Sequence, residues 1–165
     1  IVNIALLTVT DTRTFDNDKS GAILVEKIKE ANHNLIDRKI CKDNKKDIVL
    51  ILKEWINKND IDVVITTGGT GLTGRDITPE AVSEIAEKQI PGFGEIFRNI
   101  SLKTVGTSAI QSRACAVLAK GKYIFALPGS SGGVTDAWEG ILKYQLDINH
   151  KPCNFVELFP RLKEK

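Results

Sequence analysis

Apolar residues in this chain come in short runs separated by stretches of helical period, which predicts strands and helices in turn. Ile4 to Val9 is an apolar run closed by the polar stretch Thr10 to Ser20, the pattern of a buried strand feeding a loop. Beyond Gly21, Leu24, Ile28 and Ala31 recur at helical spacing with Ile23 alongside, and Leu35 to Ile40 supply a second strand. Asn44 is placed to cap a helix whose apolar positions Ile48, Ile51, Leu52, Trp55 and Ile56 share one face, and Ile61 to Thr67 form a third strand. Thr78 and Pro79 read as an N-cap followed by proline at the first helical position, with Val82, Ile85 and Ala86 on the apolar face and Pro91 ending the helix. Phe93, Ile96, Phe97 and Ile100 mark another helix. Ala114 to Leu118 and Tyr123 to Leu127 read as strands around Lys120-Gly121-Lys122, and a last helix carries Val134, Ala137, Trp138, Ile141 and Leu142. The tail from Asn149 has little periodicity.

Strands that alternate with helices predict an α/β fold, with a mainly parallel central sheet covered on both faces and joined by right-handed crossovers. The chain of 165 residues, 42% hydrophobic, suits one domain spanning 1–165 around a single core, with no repeat or linker to divide it. Trp55 and Trp138 fall on apolar helical stripes and belong to that core.

Charge narrows the partners. The 23 basic and 21 acidic residues nearly cancel, leaving no electrostatic footprint for nucleic acid or an anionic membrane, and a small anionic ligand fits better. Cys41, Cys115 and Cys153 are odd in number and widely spaced, which argues against a disulfide framework or a CxxC metal knuckle and for a reducing, cytoplasmic compartment. No apolar run is long enough to span a bilayer; the chain begins at Ile1 without methionine, so trimming of a few residues is expected. His33 and His150 lie far apart without acidic or thiol neighbours, read as surface residues, and argue against a zinc site.

In an open parallel sheet, ligands gather at the carboxyl ends of the strands. The loops expected there are Thr10-Asp11-Thr12-Arg13, Lys42-Asp43-Asn44, Thr67 to Asp76 and Pro128 to Gly133. Their glycines let backbone approach a ligand closely, and amides at the following helix N-termini favour phosphate, so the rim reads as an anion site with carboxylates. Gly69-Thr-Gly71-Leu-Thr-Gly74 formally fits the dinucleotide fingerprint, but that motif belongs on the first βα turn with an acid ending the next strand. The same loop approaches a phosphate-binding Walker loop, except that Arg75 and Asp76 replace its lysine and hydroxyl residue. Asp76 is better explained as a carboxylate beside a phosphate cradle, where magnesium would bridge protein and phosphates; Asp11 and Asp43 hold comparable strand-end positions. Taken singly, each aspartate is equally explained as a cap or turn residue, and Ser112 and Arg113 are ambiguous.

Four motifs in order then carry a resemblance: Thr67-Gly68-Gly69-Thr70-Gly71-Leu72-Thr73-Gly74-Arg75-Asp76-Ile77-Thr78-Pro79-Glu80-Ala81, Pro91-Gly92-Phe93-Gly94-Glu95, Gln111-Ser112-Arg113, and Leu127-Pro128-Gly129-Ser130. Over essentially the whole chain they resemble the molybdenum cofactor biosynthesis protein B and Mog family (MoaB/MogA), and Pro152-Cys153-Asn154-Phe155 looks like its B-type branch. The resemblance implies a three-layer α/β/α, molybdopterin-binding-like domain that assembles as a trimer or hexamer. It implies molybdopterin as ligand, and in active members an adenylyltransferase that uses Mg-ATP to adenylylate the terminal phosphate, releasing pyrophosphate. By motif, Gly68, Gly69, Thr70, Gly71, Ser112, Pro128, Gly129 and Ser130 would line the pterin and phosphate pocket, and Thr10 and Asp11, on the first strand-end loop of the same rim, are further candidates for binding. Asp76, as magnesium ligand, and Asp43 would be the catalytic carboxylates, although Lys42-Asp43-Asn44 departs from the Pro-Asp-Glu pattern of the Mog branch.

The leading expectation is therefore a molybdopterin adenylyltransferase. The alternative is a non-catalytic molybdopterin carrier or scaffold that feeds a molybdenum-insertion enzyme. Phe155, Leu158 and Phe159 are expected to be buried between subunits at a three-fold interface.

Overall fold

The computed structural model describes residues 1–165. Its strands are β1 (Asn3–Val9), β2 (Asn34–Cys41), β3 (Val63–Thr67), β4 (Lys88–Gln89), β5 (Cys115–Ala119) and β6 (Lys122–Leu127). Its longer helices are α1 (Lys19–Glu30), α2 (Lys45–Ile56), α3 (Thr78–Ile85), α4 (Pro91–Val105) and α5 (Ser131–Ala137). One six-stranded sheet runs in the order β2-β1-β3-β6-β5-β4. The pairs β2-β1, β1-β3 and β3-β6 are parallel, and the β6-β5 and β5-β4 pairs are antiparallel, so the mainly parallel sheet is as expected.

Alternation along each strand divides the apolar residues between two cores. Ile4, Leu6, Val63, Ile65, Tyr123 and Phe125 face Leu24 and Ile28 of α1, Phe93 and Phe97 of α4, and Val134 of α5. Ala5, Leu7, Val9, Val64, Ile124 and Ala126 face Ile48, Leu52 and Trp55 of α2 and Ala81, Val82 and Ile85 of α3. The period of two in strands and 3.6 in helices thus makes three layers, α/β/α, around a sheet buried on both faces. Both tryptophans are core residues, and the Trp55 Nε1 also donates to the Asp37 carboxylate at 3.0 Å.

Several details differ from the sequence pattern. Thr78 does not cap α3: it is the first helical residue, and its hydroxyl donates to the Gly68 carbonyl at 2.9 Å. Pro91 does not end that helix, which stops at Ile85; it opens α4, after the two-residue edge strand β4 that apolar periodicity did not announce. The tail forms a 3₁₀ turn, Val156–Arg161. Phe155 and Phe159 are half-buried against the chain's own Tyr123, with ring centroids 4.6 and 5.3 Å away, so only Leu158 of the three apolar tail residues is left exposed. His33 is half-buried: its Nδ1 accepts from the Val2 amide at 3.1 Å and its ring meets Trp138 edge-on.

Candidate functional site

The parallel strands end level with one another. Val9 pairs with Cys41, Thr8 with Thr67, and Thr67 with Leu127, so the loops that follow β1, β2, β3 and β6 leave the sheet from one edge. The chain moves from β1 outward to β2 and returns past β1 to β3. This reversal opens a crevice between the β1 and β3 ends, where α/β sheets bind ligands.

The β3 loop is held close to this crevice by backbone that only glycine tolerates. Gly68 has φ +106°, and a Cβ there would lie 2.2 Å from the Val9 carbonyl oxygen. At Gly69, with φ +70°, a Cβ would lie 2.4 Å from the Thr78 hydroxyl and 3.1 Å from an Asp43 carboxylate oxygen, filling the space beside that acid. Gly68 donates to Leu127 at 3.0 Å and Thr78 donates to Gly69 at 3.0 Å, so the turn is fixed from both flanks. The amides of Gly69, Thr70 and Gly71 donate to no acceptor within the protein; Gly69 and Gly71 are half-buried and Thr70 is buried. Gly129 rests against Gly68, and the Thr67 hydroxyl donates to the Pro128 carbonyl at 2.7 Å, joining the β3 and β6 loops.

Carboxylates gather on the other side of that turn. The Asp11 Oδ1 accepts the Asp43 amide at 3.1 Å, and Arg75 donates to both Asp11 oxygens at 3.0 and 2.9 Å. The Asp43 amide, then Arg75, hold the Asp11 carboxyl below its usual range. Asp43 moves the other way: burial first and the Asp11 charge second raise its pKa. Asp76 turns back on its own loop, its Oδ2 accepting the Thr73 amide and hydroxyl at 2.9 and 2.8 Å, while Oδ1 accepts no hydrogen bond. Thr10 reaches the rim, but its hydroxyl accepts the Thr12 and Arg13 amides, both at 3.3 Å, and Thr70 is buried beneath the loop.

No group of three or more His, Cys, Asp and Glu side chains is close enough to hold a metal alone. Magnesium is ordinarily bound through one or two carboxylates together with ligand phosphates and water. The free Oδ1 of Asp76 and the charge-crowded Asp43 fit that partial shell. Cys41 and Cys115 are pushed by burial to about 12 and about 11, so they stay thiols near neutral pH and are unsuited to metal ligation or attack.

Beside the β6 loop lies a cavity of about 360 Å³, within the ordinary range for small-ligand pockets. Ser112, Pro128 and Ser130 line it, whereas Gly129 does not; α4 and the 3₁₀ turn Gly106–Gln111 contribute Thr104 and Ser108, and Asp136 of α5 lies beside Thr104. Ser130 also caps α5, accepting the Gly133 amide at 3.0 Å. A wider polar groove of about 530 Å³, lined by Lys45, Ser83, Glu84 and Arg113 among others, backs the glycine loop.

Arg113, ambiguous in the sequence, proves to be the clamp of that loop. Its amide donates to Thr70 at 2.8 Å, its Nε to Gly71 at 2.8 Å, and an NH2 to the Asp76 carbonyl at 3.0 Å. Glu80 on α3 pairs with the remaining nitrogen and is held below its usual pKa chiefly by that hydrogen bond. Three carbonyl bonds and one ion pair from a single side chain and its backbone thus fix both ends of the glycine run. Its place in the motif Gln111-Ser112-Arg113 was the signal for it in the sequence.

The family model described as "Probable molybdopterin binding domain" matches residues 5–147. Molybdenum cofactor biosynthesis protein B of Escherichia coli (strain K12) is 44% identical over 161 residues, which cover 98% of this chain and 93% of that protein. A crystal structure of molybdenum cofactor biosynthesis protein B superimposes with a TM-score of 0.89 at 41% identity, covering 99% of this chain and 97% of the other. The tungsten cofactor synthesizing protein MoaB from Pyrococcus furiosus superimposes with a TM-score of 0.77 at 35% identity, covering 86% and 91%.

Proposed function

The chain belongs to the molybdopterin-binding domain family and resembles its cofactor biosynthesis proteins, and from that premise we propose that it is a molybdopterin adenylyltransferase. The observation that carries the reading is the glycine turn itself, with amides left unpaired in the protein beside three aspartates of the same rim. In this reading Ser112, Pro128, Gly129 and Ser130 border the pterin, and Gly68 to Gly71 cradle phosphate. Thr10 and Asp11 close the nucleotide side, and Asp76, with Asp43 as the second catalytic carboxylate, would hold magnesium.

The chemistry needs no side-chain nucleophile. An oxygen of the molybdopterin phosphate attacks the α-phosphorus of ATP, a new P–O–P link forms, and pyrophosphate leaves with the electrons of the broken bond. The protein's part is to align two anionic groups and to offset their repulsion with fixed dipoles. Bound magnesium would supply neutralisation of the charge that builds on the phosphates. Arg75, clasped to Asp11 at the surface, adds a cation to the same rim.

The setting that goes with this reading is cytoplasmic, with a homotrimer or hexamer passing product to a molybdenum-insertion enzyme. No helix is long and apolar enough to cross a membrane. The B-type look of Pro152-Cys153-Asn154-Phe155 is what favours the second reading, a carrier that binds molybdopterin without nucleotide chemistry.

Pyrophosphate release from Mg-ATP, with and without molybdopterin, separates the two. The native protein should release it only with molybdopterin, and Asp76→Asn, which keeps an acceptor for Thr73, should lose on the order of 100-fold or more in turnover while folding normally. Unchanged turnover in that variant would sink the mechanism, and binding without any pyrophosphate would leave the carrier.

A further inference from the structure

The cavity beside the β6 loop contains one charged group, Asp136, among hydroxyls and apolar walls. It sits on α5, outside the motifs that point to the site. Its partners within the protein are few. Asp136 enters no ion pair, and its one neighbouring donor is the Thr104 hydroxyl, 3.3 Å from Oδ2. That hydroxyl has a single proton and a nearer acceptor, the Ser101 carbonyl at 3.1 Å, one turn back on α4. The carboxylate therefore stands in a ligand-sized cavity without a committed donor.

A carboxylate can accept two parallel hydrogen bonds, so its natural complement is a planar edge with two adjacent N–H donors. Pterins carry such an edge in their 2-amino group and N3–H, with no carboxylate-repelling acceptor between them. The remaining lining matches the rest of a heterobicycle. Pro128 and the largely buried Phe97 supply apolar surface, and Ser108 and Ser112 supply groups able to donate to ring nitrogens and the 4-oxo group.

We propose that Asp136 is the specificity-determining residue for the pterin, accepting from its 2-amino and N3–H edge. The assignment rests on the pocket reading given above and adds to it the orientation of the ring: the pyrimidine end points to α5, and the far end points to the glycine turn, where a phosphate belongs. A ligand that keeps the bicycle but replaces the 2-amino group with oxygen, such as a lumazine, presents an acceptor to the carboxylate and is rejected. Guanine has the same donor edge, so a guanine nucleotide is the one rival occupant.

The test is competition against bound molybdopterin by 6-hydroxymethylpterin, the corresponding lumazine and GMP, on native protein and on Asp136→Asn. Native protein should prefer the pterin to the lumazine by about tenfold or more, because a site built for a donor penalises an analogue that lacks it. In Asp136→Asn that ratio should fall to within about threefold, since an amide presents one acceptor and one misplaced donor. The ratio is internal to each protein and independent of the folded fraction, so partial unfolding of the variant does not imitate the result. A variant that keeps the native ratio overturns the assignment while leaving molybdopterin binding and pyrophosphate release untouched. Displacement by GMP more readily than by the pterin overturns it in favour of a purine. Failure of native protein to hold molybdopterin at all overturns this assignment and the pocket reading together.

Discussion

The glycine turn after β3 and the cavity beside β6 meet at Gly68 and Gly129, yet they are built in opposite ways. The turn consists of backbone held in left-handed conformations against neighbouring atoms, tied down by Thr78 and Arg113. The cavity is made by side chains that line an open space, and neither of its glycines needs a left-handed backbone: a Cβ at Gly132 would meet nothing within 4 Å, and one at Gly133 would meet the Ser130 and Pro128 side chains of its own loop. One half therefore recognises through fixed amide dipoles and charge, and the other through removable side-chain groups. The first tolerates almost no change of shape; the second can change its ligand preference without losing the fold.

Alanine at matched glycines should give the sharpest contrast. Gly68→Ala places a methyl within 2.2 Å of backbone and demands φ +106° from a residue with a Cβ, so it should cost about 3 kcal/mol and remove nucleotide binding. Gly132→Ala lies in α5 with free space around it, and should leave stability unchanged or raise it by about 0.5 kcal/mol. Urea denaturation reads both. Comparable losses in the two variants would break the distinction.

A step smaller is the clamp. Arg113→Ala leaves the Gly71 and Asp76 carbonyls and the Glu80 carboxylate without their donor, and with the side chain about one-third exposed the expected cost is about 2 kcal/mol. Arg113→Lys should recover little, because one ammonium cannot serve three divergent acceptors. Hydrogen exchange at the Asp76 amide, which bonds to Thr73 at 3.0 Å, should quicken in both variants, while exchange at Gly133 on the cavity side stays as it was. Equal acceleration on the two sides would show that Arg113 holds the whole edge and not the glycine loop alone.

The same contrast explains what could be read from the sequence. The loop residues Asp11, Asp43, Gly68 to Gly71 and Asp76 sit at strand ends, and strands are announced by uninterrupted apolar runs such as Ile4 to Val9, so loop and rim follow from one pattern. The helical stripes of α1 and α2 were equally plain, since each buries one face only. The cavity was not legible, because its far wall comes from α4 and the turn after it, whose polar residues carry no periodicity of their own. Asp136 shows this best: on a helix flanked by core residues Val134 and Ala137, it reads as an ordinary solvent-facing acid until α4 is placed opposite. Thr78 and Pro91 were misplaced for a related reason. Their types favour helix starts, but whether a threonine caps or is helical depends on the acceptor it finds, here a carbonyl ten residues back in sequence.

Acidity should sharpen the comparison most finely, since only the turn side carries coupled carboxylates. Asp43 has a raised pKa because burial and then the Asp11 charge disfavour its ionised form. The folded chain holds that proton more tightly than the unfolded one, so the group favours folding below its unfolded value of about 3.9, and this advantage is lost as pH rises through the folded value. Asp43→Asn should accordingly stabilise the protein near neutral pH and do progressively less as the medium approaches about pH 4. Ligand binding runs the other way, because only the ionised acid attracts a cation. Magnesium affinity should therefore begin to fall on acidification at a higher pH than an ordinary aspartate would impose, as followed by calorimetry. Asp11→Asn removes the second cause and frees Arg75, which draws Asp43 downward, so the midpoint of that fall should move to lower pH; burial, the first cause, remains, and the return is incomplete. A midpoint that stays in place would mean that Asp43 does not sense Asp11 and that burial alone sets its proton affinity.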